Sequence, residues 1–272
     1  MGWDYIILGN TVSAVSLAIF LKRMGLRCLN ISADRRFGDI SLQPFRADHL
    51  SLIGVDPEVH SEAIHTHLTF HGDRYRLENP IHICRSCEVL EEAAAVNELE
   101  IQLDVNPSAE AGVVVDCRRP SSRCRLKARV VVSHLKSRNA GGGFTLQGVP
   151  GEGLRLSFAT NTGSTLIVHY GIPAGDLNET ILVQEHGLTE PAALSSITLS
   201  NVSGLGLASP LGGPTADILF SQHLAGLIHK TPESPTVPGL LADCLELIGY
   251  TMNLSTTWAE TIPKLVYMMD RA

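Results

Sequence analysis

Long hydrophobic runs are missing from this chain: nowhere do its apolar residues approach the ~18 in succession that a membrane-crossing helix needs. Clusters of lysine and arginine are missing too. With a net charge of −7 and a pI near 5.9, the chain lacks the basic patch through which nucleic acids and anionic membranes are bound, so neither is an expected partner. Its first residues do not follow the basic, then apolar, then small-residue order of a secretion signal, which gives the expectation of a cytoplasmic protein. No Gly-x-Ser-x-Gly elbow, His-Glu-x-x-His pair or phosphate loop occurs, and this removes the commonest hydrolase and metalloprotease machineries. Internal repeats and low-complexity tracts are absent. The six cysteines, Cys28, Cys84, Cys87, Cys117, Cys124 and Cys244, are scattered through a chain too large to need disulfide staples, so reduced thiols are expected.

What is present begins at Trp3. Tyr5 to Leu8 form a short apolar run consistent with a strand covered on both faces, and Gly9 ends it. From Ser13 to Met24 the apolar positions Val15, Leu17, Ala18, Leu21 and Met24 recur at helical spacing, with Gly25 where a C-terminal cap is expected. A second strand, Cys28 to Ser32, follows. This β-turn-α-β order is that of a dinucleotide-binding unit, in which phosphate oxygens rest on the helix N-terminus. Against the pattern G-x-G-x-x-G/A the chain offers Gly9, Thr11 and Ala14. The turn glycine is kept and the small helix-packing residue is allowed. The glycine that lets backbone approach a pyrophosphate is replaced by Thr11. With 44% hydrophobic residues over 272 positions, one large core or two modest ones can be buried.

Farther along, Ala47 to Gly54 has a helical pattern, and His60 to Arg76 reads as strand and turn. His65, His67 and His71 alternate there, which places them on one face of a strand. Joined to Cys84 and Cys87 they would make a zinc vocabulary, but a metal knuckle wants a second closely spaced pair and none has the usual order. No metal is expected. Further strands are predicted over Glu100 to Val105, Gly112 to Cys117, Lys127 to Leu135, within Leu154 to Tyr170, and over Ile181 to Gln184. A helix is predicted from Thr215 to His229, and two more over Pro238 to Asn253 and Thr257 to Asp270. His169, Tyr170, Asp176 and His186 are expected in surface or packing roles.

Several segments carry a resemblance. Gly38-Asp39, Leu42, Pro44 and Leu52-Ile53-Gly54-Val55, then Ile81 to Arg85 followed by Val89-Leu90, then Val113-Val114-Val115-Asp116 and Pro210-Leu211 with Gly213, match in order the landmarks of the flavoprotein monooxygenase superfamily. That superfamily includes flavin-dependent halogenases, geranylgeranyl-reductase-like proteins and flavoproteins that mature quinone cofactors. The resemblance implies an α/β fold of the FAD/NAD(P)-binding, Rossmann-like, three-layer type with a reduced second β-sheet. It divides the chain into a discontinuous cofactor-domain-like part, 1–126 with 197–235, a substrate-side sheet, 127–196, and C-terminal helices, 236–272.

The same resemblance implies FAD as cofactor and assigns its contacts to Gly9, Thr11, Ala14, Ser32, Asp34, Arg85, Ser203, Pro210 and Gly213. Four of the family's FAD devices are altered. Thr11 replaces a glycine, Ser32 stands where the ribose carboxylate belongs with Asp34 two residues on, Arg119 replaces the glycine after Asp116, and Val202-Ser203 replaces a Gly-Asp pair. Hydrogen bonds to charged groups contribute about 1.5–3 kcal/mol, so loss of two carboxylates lowers FAD affinity by powers of ten. FAD binding is therefore expected to be weakened or lost. The reading that follows is a degenerate relative acting as an accessory or binding protein, or in a cofactor-free reaction. The alternative is a small FAD-dependent monooxygenase-like oxidoreductase. A small molecule or peptide is the expected substrate class in either case. An incompletely covered cleft also implies a second copy or a protein partner, docked through the C-terminal helices.

Overall fold

The computed structural model describes residues 2–32, 37, 42–70, 73–103, 113–117, 126–136, 143–149, 153–170, 181–188 and 198–200, with helical positions at 218, 221–222, 224–226 and 229. Two sheets organise them. The first is parallel and five-stranded: β1 (Tyr5–Leu8), β2 (Cys28–Ser32), β6 (Ile101–Leu103), β7 (Val113–Asp116) and β13 (Thr198–Ser200) lie in the order β13-β7-β1-β2-β6. Its register runs Tyr5↔Cys28 to Leu8↔Ile31 on one side of β1 and Tyr5↔Val113 to Leu8↔Asp116 on the other. Central β1 turns Tyr5 and Ile7 toward one apolar cluster and Ile6 toward another, and burial of both faces explains its unbroken apolar run.

The second sheet has eight strands in the order β12-β8-β11-β10-β9-β4-β5-β3. These are β3 (Leu42–Arg46), β4 (Ser61–Phe70), β5 (Asp73–Arg85), β8 (Leu126–Lys136), β9 (Phe144–Val149), β10 (Gly153–Ala159), β11 (Ser164–Tyr170) and β12 (Ile181–Leu188). It takes strands from both sides of position 126. Ile81 to Arg85 close β5, and helix α3 (Ser86–Val96) starts one residue later. The predicted alternation of His65 and His67 is broken by a register shift between them: His65 is 2% exposed, Leu68 takes the next fully buried position, and His67 is half-buried. His71 lies outside the described residues.

Helix α1 (Val12–Arg23) is buried continuously from Val12 to Leu21. One side packs with Tyr5, Ile7 and Val115 of the parallel sheet, while Phe45, Leu50, Ile53, Val89, Leu90 and Ala93 belong to the same core. Ser13, Ala14, Ser16 and Ala18 keep the helix slim enough to be enclosed in this way. Helices α1, α2 (Ala47–Leu52) and α3 all end alike. In each, the second residue after the cap bonds back to the third-last helical carbonyl: Leu26 N–H to Leu21, Val55 N–H to Leu50, Leu99 N–H to Ala94. The left-handed residue that makes this possible is Gly25 (φ +83°), Gly54 (φ +83°) and, without the help of glycine, Glu98 (φ +49°).

The three stops are tied to one another. Lys22 Nζ donates to the carbonyls of Asn97 and Glu98, Arg23 donates to the Leu52 carbonyl and to Asn97 Oδ1, and Asn97 Nδ2 donates to the carbonyls of Ile53 and Ala93. Positive side chains at the end of α1 thereby serve the carbonyl ends of α2 and α3.

Candidate functional site

The strand order defines where a ligand belongs. From β1 the chain moves to β2 on one side and later returns to β7 on the other, so the crevice at the carboxyl ends of β1 and β7 is the topological switch point of the parallel sheet. Gly9 leaves β1 with φ +119°, a conformation that L side chains rarely adopt, and its N–H donates to the Ile31 carbonyl at 2.8 Å. This sets Ser32, 4% exposed at the end of β2, beside the turn. Ala14 is fully buried in the first turn of α1.

Thr11 occupies the N-cap of α1 with extended backbone. Its hydroxyl oxygen accepts from the Ala14 N–H at 3.2 Å, and its O–H donates to the Cys117 carbonyl at 2.9 Å. Its own carbonyl accepts from the Val15 N–H. Cys117 follows β7 directly and donates its N–H to the Leu8 carbonyl at 2.8 Å. The end of β1, the start of α1 and the end of β7 are thus knitted across the switch point by groups of the protein itself. Threonine at an N-cap is a strong local preference, since its oxygen satisfies one of the orphan amides of the first turn. Of the amides that could hold an anion, Ala14's is taken, and a Cβ with its substituents stands where backbone would have to approach a pyrophosphate. The described residues of this cradle do not fit FAD in the way the glycine pattern does.

The structure places Gly9, Thr11, Ala14 and Ser32 together at the carboxyl end of the parallel sheet. Arg85 is elsewhere: it ends β5 at the start of α3, half-exposed, with Nε on Glu62 Oε1 at 2.9 Å and 3.8 Å from Glu88. Bonding to Glu62 holds its guanidinium even more firmly protonated. Asp34, Arg119, Val202, Ser203, Pro210 and Gly213 lie outside the described residues, as do Asp176 and the helices expected over 238–270. His169 and Tyr170 fall on β11 and His186 on β12.

Other features had no signal in the pattern. The partner of Thr11 is a backbone carbonyl 106 residues away, invisible to any local motif. Beneath α1 the side chain of Asn30, 1% exposed, has no hydrogen-bond partner for either polar atom, and the hydroxyls of Ser13 and Ser16 are equally buried and unpartnered. Ser221 donates its hydroxyl to the Ser13 carbonyl at 3.1 Å, fastening the helical residues near 221 to α1. Burial raises the thiols of Cys28 and Cys84 to about 12. Both are free thiols, as is Cys87. Among the described residues no group of three metal-ligating side chains converges, and no helix is long and apolar enough to cross a membrane.

No protein-family model matches the chain, and no curated protein matches it in sequence. Solved structures match its shape. The peptidyl tryptophan dihydroxylase QhpG, essential for tryptophylquinone cofactor biogenesis, superposes with a TM-score of 0.60 at 11% identity over 100% of this chain and 76% of its own. A geranylgeranyl bacteriochlorophyll reductase-like protein from Thermoplasma acidophilum gives 0.62 at 10% identity, over 99% and 92%. PqsL, a probable FAD-dependent monooxygenase from Pseudomonas aeruginosa, gives 0.58 at 14%, over 98% and 99%. Identities this low establish the fold alone: the α/β, FAD/NAD(P)-binding architecture that the ordered landmarks imply, shared with flavin-dependent monooxygenases, halogenases and geranylgeranyl-reductase-like proteins.

Proposed function

We propose that this flavoprotein-monooxygenase-like chain is not a conventional flavin redox catalyst, and that it acts as an accessory or binding protein, or in a cofactor-free reaction on a small molecule or peptide. The observation that carries the reading is the doubly satisfied Thr11 hydroxyl, which bridges α1 to Cys117 across the switch point. A helix N-terminus that caps itself has less to offer a phosphate. An accessory role calls for a partner, a second copy or a different protein, and the cleft side of the molecule is the surface assigned to it.

A second reading, a small FAD-dependent monooxygenase-like oxidoreductase, is favoured by the retained turn geometry at Gly9, the buried Ala14 and the chemistry named for the structural neighbours. Titration of the purified protein with FAD and with ADP separates the two. Under the first reading the protein is colourless, releases no flavin on heating and binds both ligands weakly, and Thr11→Gly tightens ADP binding by about tenfold, the worth of one displaced hydrogen bond. Yellow protein carrying stoichiometric FAD overturns it in favour of the second.

A further inference from the structure

The eight-stranded sheet is built of two blocks. In β3-β5-β4 every pairing is antiparallel, and so is every pairing in β9-β10-β11-β8-β12. Among the described residues the blocks meet only where β4 runs parallel to β9, through two register pairs, Leu68↔Phe144 and Thr69↔Thr145. Every other junction in the sheet has at least five pairs. Parallel pairing is also the slightly weaker kind. The sheet therefore has a seam.

Side chains gather at that seam. The His65 ring of β4 meets Phe144 of β9 edge-on at 6.4 Å between centroids and Phe158 of β10 at 5.5 Å, while the two phenyl rings stack at 4.8 Å. All three residues are 2% exposed or less. Gly143 lets the strands close up: a Cβ there would stand 3.2 Å from the His67 carbonyl. Neither nitrogen of His65 makes a hydrogen bond of ordinary geometry. A buried polar group without a partner is costly, and an aliphatic or phenyl side chain would fill the same place more cheaply.

We propose that the His65–Phe144–Phe158 cluster is an acid-sensitive latch across the β4–β9 seam, closed while the imidazole is neutral and released when it takes up a proton from solvent. A charged ring held edge-on against a stacked phenyl pair, with no well-formed hydrogen bond and only the nearby backbone of Ala159 and Gly143 to offset its charge, favours any arrangement that lets water reach it. Burial already holds His65 below its usual value near 6.5, and the backbone of Ala159 and Gly143 offsets this only in part. Among the described side chains of β9 and β10, which are Phe144, Thr145, Ser157, Phe158 and Ala159, none titrates. Its register partner on β5 is Ile81, and beyond that stands Arg46 of β3, whose positive charge is paired with Asp48 at 2.8 Å. On β4 itself, half-buried His67 is hydrogen-bonded to Thr66. No described carboxylate is placed to stabilise the imidazolium directly.

The sign follows from linkage. A histidine whose folded value is depressed binds fewer protons when the seam is closed, so closure is fully favoured above about pH 6.5. It then weakens by up to tenfold per pH unit as pH falls toward the folded value. His82 is also depressed by burial, but it lies on the opposite face of the sheet, near Pro57 with Asp56 and Glu58. A local measurement is therefore needed.

Hydrogen exchange of the full chain between pH 7.5 and 5.5, corrected for intrinsic rates, provides it. Amides of β9 are expected to lose about tenfold or more in protection on acidification while those of β1 and α1 hold theirs, and His65→Phe is expected to abolish the loss in β9. Should that variant not fold, nitrogen chemical shifts of the wild-type His65 ring serve instead, with a titration midpoint coinciding with the opening of β9. Protection of β9 that ignores pH, that falls equally in His65→Phe, or that stays unchanged while His65 titrates overturns the latch.

Discussion

Replacing Thr11 by valine keeps the shape of the side chain and removes its hydroxyl, which makes it the sharpest probe of the switch-point bridge. Two bonds are lost, one accepted from the Ala14 amide at 3.2 Å and one donated to the Cys117 carbonyl at 2.9 Å. Removing a threonine N-cap costs about 1 kcal/mol, and the part-buried hydrogen bond adds about 1 kcal/mol more. The sum, about 2 kcal/mol, is a roughly 30-fold shift in the folding equilibrium. Thr11→Ser keeps both bonds and is expected within ~0.5 kcal/mol of wild type. Urea unfolding followed by far-ultraviolet circular dichroism measures both, and the two variants are compared at equal slope so that a change in midpoint is a change in stability. If Thr11→Val unfolds within ~0.5 kcal/mol of wild type, the hydroxyl does no more than water would, and the turn is not held inward by the protein's own groups.

Other outcomes follow from the helix stops and the thiols. Glu98 holds a left-handed conformation that glycine adopts freely, so Glu98→Gly is expected to raise stability by about 0.5–1 kcal/mol in thermal unfolding, whereas Gly25→Ala, in open space but at φ +83°, loses about 1 kcal/mol. Asn97→Ala deletes two donated bonds, to Ile53 and Ala93, and the acceptor for Arg23, and is expected to cost about 2 kcal/mol in the same assay. Cys28 and Cys84, raised to about 12 by burial, are almost wholly protonated at pH 8. Mass spectrometry after brief alkylation of native protein is expected to find both unmodified, and labelling of either at the rate of a free thiol would contradict their burial.

The sequence reveals this fold where its instructions are local. Apolar Tyr5 to Leu8, the helical spacing to Met24 and glycine at 25 and 54 each place an element or a stop within a residue or two of where the structure has it. The third stop stays hidden because glutamate does not signal a left-handed turn. Pairing across long separations is also illegible: nothing local says that β4 and β9 lie side by side, or that strands between 42 and 85 join those between 126 and 188 in one sheet. At the switch point the residues that the pattern singles out, Gly9, Thr11, Ala14 and Ser32, lie at the ends of β1 and β2 and the start of α1. The pattern cannot say that Thr11 turns toward Cys117, because the acceptor is a carbonyl and every residue has one.

Lys22, Arg23 and Asn97 bind the carbonyl ends of three helices together some 18 Å along α1 from the ligand turn, at 1.5 Å of rise per residue. Changes that far apart add independently. An exchange at Gly9 to Ala14 therefore leaves the hub intact, and the three helix stops stay joined whatever the turn holds. Hub and ligand turn are separable parts, one at each end of the same helix.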